Sequence, residues 1–403
     1  MYILVINAGS SSIKYQLFDI ETKAVLAKGL AERIGIESGR IRHQYRRDED
    51  LLEKIVNQEL TDHTVAFKTI SDLLTDSEIG VISKPEDITA VGHRIVHGGE
   101  KFVHTQEITQ EVKDTIKALI PLAPLHNPPN LIGVEAAEMN FPNAVQVAVF
   151  DTSFHHTLPE HVFRYAIPEN LYVEDGIRVY GFHGTSHKYV YHEAKKYLNN
   201  PRLKAITIHL GNGSSMTAVD ENGHSVDTSL GFGALCGLIM GTRSGDIDPA
   251  AIFYMMEEKG MSLEAVKEIL YKQSGMLGLA GSSDARDVRA NYEKNDKSAH
   301  LCYEMYGYRV RKYIGAYFAA LNGVDTLIFT AGLGENDQLT RSYACKNLEA
   351  LGIKLDEDAN VSRNHPKDVV EIQAADSRVK ILVIPTNEEL QIAEETYDLL
   401  HEK

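Results

Sequence analysis

The sequence predicts an α/β protein built from two duplicated domains, and three observations lead there. Strand-like runs alternate with helical runs along most of the chain. Its 403 residues exceed the roughly 250–300 that a single core organises. A short motif also recurs about 200 residues apart: Ile6-Asn7-Ala8-Gly9-Ser10-Ser11-Ser12, then Leu210-Gly211-Asn212-Gly213-Ser214-Ser215, each following a β-run and leading into another.

Taken in order, residues 2–7 form a buried strand, 8–12 a small-residue turn, 13–19 a second strand and 25–30 a third. Segments 51–60 and 65–74 carry apolar residues at helical spacing, and 88–96 is a strand. Helices are expected over 111–119 and 130–139, on either side of a Pro-rich loop at 121–129. A buried strand at 145–150 ends at Asp151, and the stretch 152–187 is irregular and rich in histidine. In the second half, strands are expected at 204–210, 214–220, 325–330 and 379–384. Asp248-Pro249 has the chemistry of a helix start, 299–321 is a long helix, and 331–336 is a turn. Thr386-Asn387-Glu388-Glu389 has capping-box spacing ahead of a final helix. The expected division is an N-terminal domain over 1–150, completed by a helix at 390–403, and a nucleotide-binding domain over 151–389.

The net charge of −16 disfavours nucleic acid and anionic membrane surfaces, both of which call for a basic face. Three cysteines, Cys236, Cys302 and Cys345, with no C-x-x-C pair, read as free thiols in a reducing compartment. The first apolar run is too short for a signal peptide, and no stretch is long enough to span a bilayer. A cytoplasmic location follows as the expectation.

Tips made of Gly, Asn and Ser offer closely spaced N–H groups and hydroxyls that suit phosphate oxygens. A third such turn, Gly332-Leu333-Gly334-Glu335-Asn336, also follows a strand. Any one of them alone is an ordinary hairpin; three in a duplicated chain suggest a nucleotide. No Walker A sequence and no G-x-G-x-x-G after a strand is present. Phosphoryl transfer needs positioning, a metal and cations around the moving group. Arg94 and Arg243 each lie in a glycine-flanked segment that lets the backbone approach a ligand, and His183 lies in Gly181-Phe182-His183-Gly184. Asp151 ends a buried strand, Asn7 sits in the first tip and Glu388 in the first turn of the last helix. These three suit Mg²⁺, mostly through water. No H-E-x-x-H occurs, and the adjacent His155 and His156 point opposite ways on extended chain, which weakens a zinc hydrolase reading.

The acceptor is legible in outline. A sugar hydroxyl needs a carboxylate base, whereas a carboxylic acid with pKa about 4 is already ionised and needs cations instead. Arg94, Arg243 and His183 fit the second case.

The segments 5–14, 92–99, 181–187, 209–215, 241–249, 329–336 and 385–390 resemble, in order and across nearly the whole chain, the signature blocks of the acetate kinase family. The resemblance implies the duplicated RNase H-like fold of actin, Hsp70 and the sugar kinases, with a central cleft. It implies reversible transfer between ATP and acetate to give acetyl phosphate and ADP, Mg²⁺ (or Mn²⁺ in its place), and a homodimer. It gives Arg94, Arg243, His183 and Asp151 catalytic roles and Asn7 and Glu388 the metal. Ser10, Ser12 and Lys14 would lie near the phosphates. His209, Leu210, Gly211, Asn212 and Gly213 would contact the nucleotide, with Gly332, Gly334 and Asn336 at the adenosine. His126 would lie near the acceptor, with Val96, Leu125, Phe182 and Ala234 around its methyl group. Ala234 stands where the family usually has proline, two residues before Cys236, which leaves a propionate or butyrate kinase as the alternative. A non-catalytic nucleotide sensor on the same fold is the reading from a different class.

Overall fold

In the computed structural model, which describes residues 1–48 and 50–401, the chain forms two compact units, Met1–Ser153 with Asn387–Lys403 and Phe154–Thr386. The first carries an eight-stranded sheet built from β1 (Tyr2–Ala8), β2 (Ser12–Asp19), β3 (Ala24–Glu32), β4 (Arg40–Arg47), β5 (Asp50–Asn57), β6 (Ile88–Ile95), β7 (Gln106–Glu107) and β8 (Val145–Phe150). Its order is β5-β4-β3-β2-β1-β6-β8-β7. The second carries six strands, β9 (Ala205–Leu210), β10 (Ser214–Val219), β11 (Ser225–Thr228), β12 (Thr326–Thr330), β13 (Val370–Glu371) and β14 (Lys380–Val383), ordered β11-β10-β9-β12-β14-β13.

The repeat in the sequence becomes a repeat in topology. β3-β2-β1 and β11-β10-β9 are antiparallel meanders; β6 and β8, like β12 and β14, add in parallel beside the first strand of each. This is the RNase H-like order, present twice. The two glycine-serine motifs are the β1–β2 and β9–β10 tips. Strands buried on both faces explain the unbroken apolar runs: every residue of β9, β10 and β12 is buried.

Four local expectations change. Segment 51–60 does not form a helix: Asp50–Asn57 is an edge strand paired only to β4, with Leu51, Leu52 and Ile55 more than a third exposed. Residues Ala331–Asn336 form a short helix rather than a turn. Stretch 152–187 contains short helices and the start of the helix Gly184–Tyr197. The last helix, Glu388–His401, is capped by Asn387, whose side chain accepts from Leu390 N at 3.1 Å. Thr386 instead pairs its hydroxyl with Ser186 at 2.9 Å.

The helix Glu388–His401 lies in the first unit, where Ile392 and Ala393 are buried with Ile3, Val5 and Phe18. A second helix, Asn127–Asn140, starts with proline in its first turn and crosses the end of β1. At Gly133 it comes so close that a Cβ there would sit 2.5 Å from the Cβ of Ala8.

Candidate active site

In the first unit the site gathers at the C-terminal ends of β1, β6 and β8, where open α/β sheets place their ligands. Arg94, near the end of β6, donates from Nε to Asp151 Oδ1 at 3.1 Å and from Nη2 to Oδ2 at 2.5 Å. Asp151 is buried and the Arg94 side chain is 21% exposed. Such a two-point fork fixes the guanidinium plane and leaves Nη1 for another anion. Glu388 Oε2 lies 4.0 Å from Arg94 Nε. Burial lowers the basicity of Arg94, but Asp151 and Glu388 more than offset it and hold the guanidinium above its ordinary value. Burial raises Glu388 to about 7, against the pull of Arg94.

Asn7 is half-buried on β1, opposite Lys14 on β2, and Lys14 forms an ion pair with Glu389. At the tip, Gly9 N donates to Ser12 O at 2.8 Å, and Ser10 is exposed. Val96 is buried, whereas Leu125 and His126 are exposed just ahead of the helix Asn127–Asn140.

Two residues without a sequence signal organise this end. Asn130 accepts from Val96 N at 3.0 Å and donates to Ala8 O at 2.9 Å, so one buried side chain ties the β1 tip to the chain after Arg94. Asn127 accepts from His97 N at 3.2 Å and donates to His97 O at 3.1 Å. Thr152 Oγ1 accepts from Gly98 N at 3.0 Å. His93 and His97 are not part of the charge set: burial lowers each to about 4.

The second unit holds the other cation. The segment carrying Arg243 is tied down by Met240 N to Arg243 O at 3.1 Å and Gly241 N to Asn212 O at 3.2 Å. Arg243 Nη1 donates to Ala234 O at 2.9 Å, so the residue that replaces proline serves through its carbonyl. Among the described residues Arg243 has no carboxylate partner, and burial lowers its pKa, with Tyr271 opposing. A half-buried guanidinium without a counterion is an anion site in waiting. A Cβ on Gly213 would lie 3.3 Å from the His183 ring and 3.8 Å from Arg243 Nη1. The β9–β10 tip, His183 and Arg243 therefore converge.

His183 occupies left-handed backbone (φ 56°) at the start of the helix Gly184–Tyr197. Its Nδ1 meets Ser215 Oγ at 2.8 Å, and its ring stacks on His209 with centroids 4.4 Å apart. His209 Nδ1 meets Ser186 Oγ at 2.8 Å. Phe182 is buried and Ala234 half-buried. Cys236 Sγ accepts from Gly231 N at 3.1 Å, and burial pushes its thiol up, away from the thiolate that reacts.

The third turn is fastened from below. Glu335 Oε1 accepts from Ala331 N at 2.7 Å and Thr386 N at 3.0 Å. Buried Arg341 donates to Gly334 O at 2.8 Å and Glu335 O at 3.1 Å, closing the C-terminal end of the helix Ala331–Asn336. Asn336 donates to Gly332 O at 2.9 Å, leaving Gly332 exposed and Gly334 buried.

No group of three or more His, Cys, Asp or Glu side chains suited to a metal occurs among the described residues. A Mg²⁺ carried by nucleotide phosphates needs only one or two carboxylates and waters, and the donor set Asn7 and Glu388 fits that. No described helix is long and apolar enough to cross a membrane.

Residues 2–394 match the model of the Acetokinase family. An acetate kinase of Carboxydothermus hydrogenoformans is 50% identical over 405 residues, all of both chains. One from Thermotoga maritima is 50% identical over 404 residues, 99% of each. The crystal structure of Porphyromonas gingivalis acetate kinase superposes with a TM-score of 0.93 at 42% identity, covering 99% of each chain. A propionate kinase from Francisella tularensis gives 0.90 at 40% identity over 98% of each.

Proposed function

The chain belongs to the acetokinase family, and from that premise we propose that it moves the γ-phosphoryl of ATP directly and in line onto acetate. Acetyl phosphate and ADP are the products, and the transfer is reversible. It is an enzyme, a kinase with a carboxyl group as acceptor.

The observation that carries the reading is Arg243, half-buried with no counterion among the described residues and beside a phosphate-type tip and His183. In-line transfer between two anions asks for such charge rather than for a base. In this reading Arg94 holds the acceptor carboxylate through the part of its fork that Asp151 leaves over. Arg243 and His183 stabilise the transferring phosphoryl. Ser10, Ser12 and Lys14 serve the phosphates, and the β9–β10 tip (His209, Leu210, Gly211, Asn212, Gly213) the nucleotide. Gly332, Gly334 and Asn336 border the adenosine. Val96, Leu125, His126, Phe182 and Ala234 surround the acceptor. Mg²⁺, or Mn²⁺ in its place, would be held by Asn7 and Glu388 and would neutralise charge on the phosphate oxygens.

Hydroxylamine trapping tests the activity. Protein mixed with Mg-ATP and acetate yields acetohydroxamate; no trapped product would favour the non-catalytic sensor.

The homodimer belongs to the proposal too. The helix Pro249–Glu257 is largely apolar yet has no buried residue, with Phe253 59% and Tyr254 54% exposed. A face of this kind suits a second copy of the chain. Sedimentation of Phe253→Glu should show monomer where the unaltered protein shows dimer. The cytoplasm is the proposed location, in keeping with three free cysteines, and cell fractionation decides it.

A further inference from the structure

Behind His183 runs a line of buried polar groups that the transfer reaction itself does not require. Ser215 Oγ meets His183 Nδ1 at 2.8 Å and His187 Nε2 at 2.7 Å. His187 Nδ1 meets Thr207 Oγ1 at 2.7 Å, and Thr207 Oγ1 donates to the backbone oxygen of Thr217 at 3.4 Å. Ser215, His187, Thr207 and Thr217 are each fully buried.

A carbonyl oxygen only accepts, so it sets the direction of the whole line. Where Thr207 gives its proton to Thr217 O, it accepts from His187 Nδ1–H. His187 then has a bare Nε2 and accepts from Ser215 Oγ–H. Ser215, its proton spent, accepts from His183 Nδ1–H. Burial holds His187 well below its ordinary pKa, helped by its neighbours His155 and His209, which keeps this middle ring neutral with one N–H.

We propose that Ser215 is a positioning residue that fixes both the ring angle of His183 and the tautomer with its proton on Nδ1. Its Nε2 end is thereby aimed at the β9–β10 tip, where Gly213 and Arg243 lie. The neutral ring presents a lone pair at Nε2, so His183 donates a hydrogen bond to a phosphoryl oxygen only when it carries both protons. His209 is stacked face to face on His183, and its own Nδ1 goes to Ser186. The serine was visible in the sequence as part of a phosphate-type tip; its hydroxyl turns inward instead.

This inference rests on the kinase reading for its consequence but not for its test. Selective ¹⁵N labelling of histidine in the full chain reads the tautomer directly, with no turnover involved. The expected spectrum shows neutral His183 as Nδ1–H with unprotonated Nε2, and neutral His187 likewise. A neutral His183 protonated on Nε2 would overturn the proposal even if the protein makes acetohydroxamate normally. Ser215→Ala should lower kcat by about 10–100-fold, with KM for ATP and acetate changed by less than about threefold. Unaltered kcat in Ser215→Ala would also overturn it. If that variant fails to fold, Thr207→Val, which keeps the shape and removes only the hydroxyl at the far end, should give a mixture of His183 tautomers and a smaller loss of kcat. A single unchanged tautomer there would reject the directed line.

Discussion

Asp151 grips Arg94 at two points, Nε at 3.1 Å and Nη2 at 2.5 Å, from a position that is 1% exposed. The carboxylate therefore fixes the plane of the guanidinium. Arg94→Ala and Arg243→Ala should each lose kcat by about 10²–10³, the scale of other oxyanion stabilisers. Asp151→Asn retains one acceptor of the two and should fall between them and the unaltered protein, with Arg94→Lys no better, since a point charge cannot fill the fork. Hydroxamate kinetics measure all four. Near-normal turnover in either alanine variant would remove that arginine from the site.

Asn130 joins Ala8 O to Val96 N across the first unit. Asn130→Ala strands a buried donor and a buried acceptor and should cost about 1–3 kcal/mol in urea unfolding. Asn130→Asp can still accept from Val96 N but faces Ala8 O with a second acceptor. It should be no more stable than the alanine variant. Stability equal to the unaltered protein would show that the Ala8 bond contributes nothing.

Burial raises Asp227 on β11 to about 6, with only the Thr228 backbone opposing. The unfolded value is about 4. The folded state thus binds its proton more tightly, and the native state loses stability as pH climbs from 4 through 6. Asp227→Asn should raise the melting temperature by a few degrees at pH 8 and hardly at pH 4. Equal gains at both pH values would contradict the assignment.

Ala234 touches Arg243 with its carbonyl and supplies only a methyl group as side chain. One methylene is worth about 1–3 kcal/mol in an apolar pocket, and if Ala234 lines the acceptor pocket as proposed, the absence of a proline ring there leaves room for it. Propionate should be phosphorylated with kcat/KM within about 200-fold of acetate. Comparing C2 to C4 acids reads this, and an enzyme blind to propionate would refute the pocket argument.

The chain announced what is local and hid what is assembled. Both hairpin tips were legible because Gly, Asn and Ser sit between β-runs of the right length. Segment 51–60 misled because Leu51, Leu52, Ile55 and Val56 make a helical stripe. On an edge strand with one neighbour nothing forces strict alternation, and three of the four stay exposed. Asn127 reads as a loop residue in the Pro-rich stretch and Asn130 as the first residue of a helix; neither shows its tying role, because their partners lie some 30 to 120 positions away. Arg341 had no signature at all: a fully buried arginine whose work is to close a helix end is defined by carbonyls, and carbonyls are the same in every sequence.

The last helix, with Ile392 and Ala393 sealed against Ile3, Val5 and Phe18, has a consequence for biosynthesis. The half of the chain that leaves the ribosome first lacks a wall of its interior until residues 388–401 are translated. It must wait, open on one side, while the other half is made and can fold. Nascent chains stopped before residue 387 should therefore engage chaperones through the apolar face that this helix covers, and docking of Glu388–His401 is the event that closes it.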